Sequence, residues 1–283
     1  MIIEAPAKIN IGLKVLHKRD DGYHELESVM QQIGLCDILS VKDDDKINIS
    51  CSGLDIPLQD NIIYKAVTLL QQKFNITRGI NIVLYKNIPV GAGLAGGSSD
   101  AAAVMLALNK IWQIDIPAEK LIELGTYVGA DVPFCIMGGT ALAQGIGEKL
   151  TPLPKMPSLG VVLAKPRKLS LSTEEVFKGF HKNKSHIDFS YGSLIRAIKN
   201  QDKKAVLKWV RENHNSNMLE SFVLKSNPIV SRLKESFKEI NLTPLMSGSG
   251  PTVFALTTSV QEAKAAVFSL KEKGFYSWAS WTI

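Results

Sequence analysis

Four glycines and two serines crowd into PVGAGLAGGSSDAAA, residues 89–103, between an alternating apolar run and a run of small helix-forming residues. Glycine lets a backbone turn sharply and bring its N–H groups against a ligand. The first N–H groups of a helix have no intrahelical partner, and the helix dipole adds partial positive charge there. Pro89, Gly91, Gly93, Leu94, Ala95, Gly96, Gly97, Ser98 and Ser99 therefore form a segment suited to holding phosphate. A simple helix cap would account for Ser98 or Ser99. It would not call for the glycines at 91, 93, 96 and 97 as well.

Competing phosphate-binding patterns fit poorly. Gly91, Gly93 and Gly96 satisfy GxGxxG, the mark of a nicotinamide-dependent oxidoreductase. That fingerprint opens the first β-α-β unit and leads, about 20 residues later, to an acidic residue ending a strand. Here several strands are expected before it, and Asp115 falls between two expected helices. A Walker A loop ends in GK[ST], whereas Gly97, Ser98 and Ser99 include no lysine. Protein-kinase signatures are missing too, since neither HRD nor DFG occurs.

The elements that must position this segment follow from periodicity. Alternation predicts strands over 9–16, 26–33, 37–42 and 46–50, the first two joined by a turn at RDDG, 19–22. Ile62, Ala66, Leu69, Leu70 and Phe74 predict a helix over 61–75, capped at Asp60 or Asn61. A strand over 79–86 enters the glycine-rich segment; helices over 98–113 and 117–128 follow, the second with Pro117 in its first turn. TPLPKMP, 151–157, holds three prolines in seven residues and predicts a boundary between domains 1–152 and 153–283. Beyond it the pattern predicts strands over 159–164, 252–256 and 276–281. Helices are predicted over 173–180, 191–200, 203–213, 228–240 and 260–273. That interleaving indicates an α+β second domain of split β-α-β character.

Composition bounds the partners. The 283 residues, 45% hydrophobic and 21% charged, are those of a soluble globular protein. A net charge of +6 is spread along the chain, and the basic cluster at 178–184 lies beside Glu174 and Glu175. It reads as a solvated face, so no nucleic-acid partner is expected. Cys36, Cys51 and Cys135 lack CxxC spacing, which favours a reducing compartment over a disulfide framework or zinc site. His17, His181, His186 and His214 are scattered, so no metal-ligand cluster is expected. Glu4 and Lys8 interrupt the N-terminal apolar stretch, and no apolar run approaches the ~20 residues of a membrane span. A cytoplasmic protein without a membrane partner is the expectation.

PVGAGLAGGSSDAAA resembles the phosphate loop of the GHMP kinases, named for galactokinase, homoserine kinase, mevalonate kinase and phosphomevalonate kinase. APAKIN at 5–10 and MSGSGPT at 246–252 agree in order and spacing, so the resemblance covers almost the whole chain. It implies a two-domain α+β fold with the active site in the interdomain cleft. The first domain would bind ATP, and the second would contribute to substrate binding. Mg²⁺ would accompany ATP, held largely by phosphate oxygens and water. The resemblance makes Asp131, within GADVPF, the base and Lys8 its charged partner. Outside that context Asp131 reads equally as a helix cap, and Lys8 as a surface lysine.

Further roles are likewise implied by the resemblance. Residues 91–99 would wrap the phosphates, and Asn61 and Lys86 would approach the base of ATP. GYHEL, 22–26, is similar to the cytidine-recognition element of one branch of the family. That branch phosphorylates the 2-hydroxyl of a small polyol carrying a cytidine diphosphate group; homoserine and mevalonate kinases would not be expected to carry GYHEL. His24 would bond the cytosine edge, Tyr23 would stack on the ring, and Phe177 would be the matching aromatic on the other side, with Thr173 on the same helix. Asn10 would hydrogen-bond the polyol, and Ser247 and Gly248 would lie near the phosphates and the reactive end. A phenylalanine at helical spacing, such as Phe177, also reads as core. The family often carries asparagine where Asp100 stands. The oligomeric state is not legible.

Overall fold

Apolar residues at alternate positions draw Ile2–Lys18 into one strand, β1, and His24–Asp44 into a second, β2, in a computed structural model that describes residues 1–51, 57–182 and 187–283. The predicted turn joins them: Gly22 N–H donates to the Arg19 carbonyl at 3.1 Å, with Gly22 at φ 88. The two strands expected at 26–33 and 37–42 are one, because Gly34, Leu35 and Cys36 between them continue the extended backbone.

The chain divides into two compact units, each discontinuous in sequence. The first comprises residues 1–7, 36–89 and 95–138, and the second 8–35, 90–94 and 139–283. Both long strands contribute residues to each unit, so the units differ from the sequential halves 1–152 and 153–283.

In the first unit, β3 (Ile47–Cys51) pairs parallel with β4 (Gly79–Tyr85), and β4 pairs antiparallel with residues 38–44 of β2. Helices α1 (Ile62–Phe74), α2 (Gly96–Ile111), α3 (Ala118–Gly125) and α4 (Val132–Met137) complete this unit. Leu39, Val41, Val67, Leu70, Ile80, Ile82, Val104 and Leu108 are its core. Each such side chain, fully buried, contributes about 1.5–3 kcal/mol. Pro117 is the residue before α3 rather than its first turn, and α3 stops at Gly125 instead of reaching 128. The six residues of α4, VPFCIM, were not expected as helix, since so short an apolar run carries no readable period.

In the second unit, residues 26–31 of β2 pair with β5 (Thr140–Gly145), and β5 with β6 (Lys149–Pro152). Thr151 and Pro152, expected at a domain boundary, thus belong to a sheet. Proline is tolerated there because β6 is an edge strand. A second, wholly antiparallel sheet has the order β10-β7-β9-β8, built from β7 (Gly160–Lys165), β8 (Leu245–Met246), β9 (Val253–Thr257) and β10 (Tyr276–Trp281). That order is of the split β-α-β kind expected from the sequence.

Helices α5 (Thr173–Lys182), α6 (Gly192–Lys199), α7 (Lys203–Glu212), α8 (Glu220–Ser226), α9 (Pro228–Lys238) and α10 (Val260–Glu272) complete the second unit. Val162, Val253, Ala255, Leu233, Phe237 and Leu270 pack in its core. The helix α8 was not expected. Glu174 and Lys178 pair at 2.6 Å on the surface, as a solvated face requires, and His17 and His214 are exposed. Lys184 and His186 lie outside the described residues. Among the described residues no helix is long and apolar enough to cross a membrane.

Candidate active site

Lys8 is buried, only 5% exposed, which sets aside its reading as a surface lysine. It lies on β1 within the second unit, and its main-chain N–H donates to the Leu94 carbonyl at 3.1 Å. Its ammonium donates to Asn10 Oδ1 at 2.8 Å. Strand alternation puts residues 8 and 10 on one face, as the sequence requires. Asn10 Nδ2 donates in turn to Ser28 Oγ at 2.8 Å, and the Ser28 hydroxyl donates to the Gly12 carbonyl at 2.7 Å. The run of donors fixes which way the Asn10 amide points, so the lysine faces an oxygen.

The two glycine-rich segments meet in the same unit. Gly91 and Gly93 have φ of 60 and 74, left-handed backbone that gives the segment the sharp turn expected of its glycines. A Cβ at Gly93 would lie 2.2 Å from the Ser247 carbonyl oxygen, and one at Gly248 would lie 3.3 Å from Asn10 Oδ1. Ser247 is fully buried and its hydroxyl donates to the Gly93 carbonyl. On the other side, the Ser170 hydroxyl donates to the Val90 carbonyl at 3.1 Å.

The aromatic residues of the expected cytidine element are also in this unit. The rings of His24 and Phe177 stack with centroids 5.2 Å apart and 25° between planes. Tyr23 is 60% exposed, with its N–H donating to Asp21 Oδ1. Thr173 Oγ1 lies 3.0 Å from Ser249 Oγ, which ties the start of α5 to the second glycine-rich segment.

In the first unit, Ala95 at φ 57 leads directly into Gly96, so the glycine-rich run delivers the chain to the N-terminus of α2 as expected. Gly97 is exposed, Ser98 and Pro89 half-buried, and the Ser99 hydroxyl donates to the Pro6 carbonyl at 2.7 Å. Asn61 caps α1, its Oδ1 accepting from the Ile63 N–H at 2.9 Å. Asp131 precedes α4 in helical backbone geometry and its carboxylate makes no capping hydrogen bond there. It is thus the N-cap residue of α4 by position, without a side-chain cap.

Lys86 pairs with two carboxylates. Its ammonium bonds Asp37 and, at 2.8 Å, Asp100 Oδ2. Burial pushes the Asp100 carboxyl up to about 7, with the Asp37 charge adding to the rise and Lys86 opposing it. Burial alone would lower the Lys86 ammonium, but Asp100 and Asp37 outweigh it and the net direction is upward.

Several positioning residues were not legible beforehand. Asn217 Nδ2 donates to both the Met246 and Gly248 carbonyls at 2.8 Å, and Glu220 Oε2 accepts from the Met246 N–H at 3.2 Å. Glu220 is itself paired with Lys234 in the interior. Only the SNMLE spacing, a polar residue three before a glutamate at a helix start, hints at this clamp. Nothing local marks Asp37, Ser28 or Ser170.

The family description GHMP kinases N terminal domain matches residues 61–139, and GHMP kinases C terminal matches 194–275. The chain is 44% identical, over 274 residues, to the 4-diphosphocytidyl-2-C-methyl-D-erythritol kinase of Listeria welshimeri, covering 95% of this chain and 91% of that one. It is 44% identical over 276 residues to the protein of the same name in Clostridium novyi, covering 96% of each. A crystal structure of 4-(cytidine 5'-diphospho)-2C-methyl-D-erythritol kinase aligns with a TM-score of 0.82 at 32% identity, covering 100% of this chain and 99% of the other. The mevalonate kinase of Methanococcus jannaschii shares the fold, with a TM-score of 0.74 at 16% identity, covering 100% and 98%.

Proposed function

The chain belongs to the GHMP kinase family, and from that premise we propose that it phosphorylates 4-diphosphocytidyl-2-C-methyl-D-erythritol on its 2-hydroxyl, using ATP. The reaction is a step of the non-mevalonate route to isoprenoid precursors, and its place is the cytoplasm. The observation that carries the catalytic part is the buried chain Lys8–Asn10–Ser28. Burying an ammonium is costly, so a lysine held inside by oriented polar partners is a group with a task.

Asp131 accepts the proton of the 2-hydroxyl as that oxygen bonds to the γ-phosphorus. The bond from the γ-phosphorus to the bridging oxygen breaks, and ADP leaves. Lys8 stabilises the negative charge on the transferred group. Gly91, Gly93 and the first turn of α2 suit the triphosphate, because they bring main-chain N–H groups close without side-chain bulk. Mg²⁺, were it bound with ATP, would supply charge neutralisation to the transferred group. Asn61 and Lys86 serve the nucleotide side, and Asn10, Thr173, Ser247 and Gly248 the polyol and phosphate side. Tyr23, His24 and Phe177 take the cytosine, and the stacked His24–Phe177 pair supports this because it brings two flat rings to one place.

ADP release with ATP and Mg²⁺ tests the proposal when the cytidine-diphosphate-linked methylerythritol is compared with homoserine, mevalonate and galactose. Turnover is expected with the first alone and is lost in Asp131→Ala. Activity on another of the four instead would overturn the assignment of Tyr23 and His24.

A further inference from the structure

We propose that Asp37 and Asp100 are positioning residues that clamp the Lys86 ammonium beneath the first turn of α2, and that Asp100 occupies this clamp as the neutral acid when nucleotide is bound. The proposal rests on the reading that this turn takes nucleotide phosphates.

The clamp is built inside the first unit. A Cβ at Gly96 would lie 3.1 Å from Lys86 Nζ, so the ammonium sits directly against the start of the helix. Asp37, with no exposure, is saturated. Its Oδ1 accepts the Asn87 and Ile88 N–H groups at 2.6 and 2.8 Å, and its Oδ2 accepts from Lys86. Asp100, 2% exposed, has one oxygen on Lys86, while its Oδ1 is buried with no hydrogen-bond partner. An ionised carboxylate with a dry, unsatisfied oxygen is far costlier than a neutral acid in the same place. The charge count agrees: one ammonium balances one carboxylate, and a second ionised carboxylate would leave net negative charge beneath a phosphate-binding turn.

The groups facing Asp100 are few. Asp37 comes from β2, Lys86 from the residue after β4, and the Cys51 thiol, within the field of all three, from β3. Of the helices beside α2, α1 brings Tyr64, Lys65 and Lys73, with Lys65 donating to the Val128 carbonyl. The helix α4 carries no charged side chain, and Lys120 and Glu123 of α3 pair with each other at the surface.

The direction with pH follows. Asp100 is neutral below about 7 in the folded chain, against an ordinary value of 3.8. Between 3.8 and about 7 the unfolded chain has lost this proton while the folded chain keeps it, so stability falls across that window and levels off above about 7, where Asp100 is ionised and its charge repels phosphate.

The test is ADP affinity of the wild type and Asp100→Asn from about pH 6 to about pH 8.5, where titration of the nucleotide itself cancels in the ratio. The variant is expected to match the wild type near the acid end and to bind about threefold to tenfold more tightly at the alkaline end. A ratio that does not change with pH overturns the proposal. Melting of the nucleotide-free proteins supplies a second readout: the variant's advantage in Tm should widen from about pH 5 to about pH 7 and level off above that, and a difference that stays constant across about pH 5 to about pH 7 overturns the neutral-acid assignment. If that difference widens but neither protein binds ADP, the nucleotide reading has failed, and the positioning role with it, while the titration stands.

Discussion

The Ser247 hydroxyl donates to the Gly93 carbonyl oxygen at 2.9 Å, a bond between glycine-rich segments 154 residues apart in the chain. Neither segment is a self-contained turn. Each fills space that the other leaves open, since Gly93 has no room for a Cβ against the Ser247 carbonyl.

Gly93→Ala is accordingly expected to cut kcat/KM at least about a hundredfold, because the left-handed backbone and the 2.2 Å approach both resist a methyl group. Steady-state kinetics with ATP varied checks this, together with Tm to register the strain. Near-normal kinetics would mean that the two segments do not act together.

Asn217→Asp keeps the acceptor for the Leu219 N–H but turns a double donor toward an acceptor facing two carbonyls. Its kcat should fall about tenfold or more with little change in KM for ATP, because the loop at 246–250 loses its clamp. A pure stability effect, with normal kcat at low temperature, would assign Asn217 to folding alone.

Phe177→Ala removes one face of the His24–Phe177 stack. Loss of about 1–3 kcal/mol of stacking predicts a rise of roughly fivefold to a hundredfold in KM for the cytidyl substrate, with KM for ATP unchanged. Equal effects on both substrates would place Phe177 in the core instead.

Lys8→Met keeps much of the buried volume while removing the charge. Turnover should fall about a hundredfold or more, and ATP affinity measured by calorimetry should change far less. Parallel losses in both would make Lys8 a nucleotide ligand.

Much of this protein was readable from local pattern, because the forces concerned act over a few residues. The glycine-rich run predicts a sharp turn and a helix start, and Gly91, Gly93 and α2 provide them. Asn61 was legible as a cap because capping needs only the next two residues. Alternation found β1, β4, β7 and β10, and the segments APAKIN, GYHEL and MSGSGPT pointed to a kinase family before any fold was known.

What the tertiary structure alone decided lies in contacts made across long stretches of chain. Asp37 meets Lys86 across 49 residues, and Asn217 meets Met246 and Gly248 across 29 and 31. No periodicity or motif encodes such pairs, because each depends on which faces are brought together when the sheets bury their apolar sides. Burial itself is the same kind of fact: it turns Lys8 from an ordinary lysine into an oriented interior charge and moves the Asp100 carboxyl toward neutrality. The residue types were present in the chain, but the low-dielectric surroundings that give them chemistry exist only once it has folded.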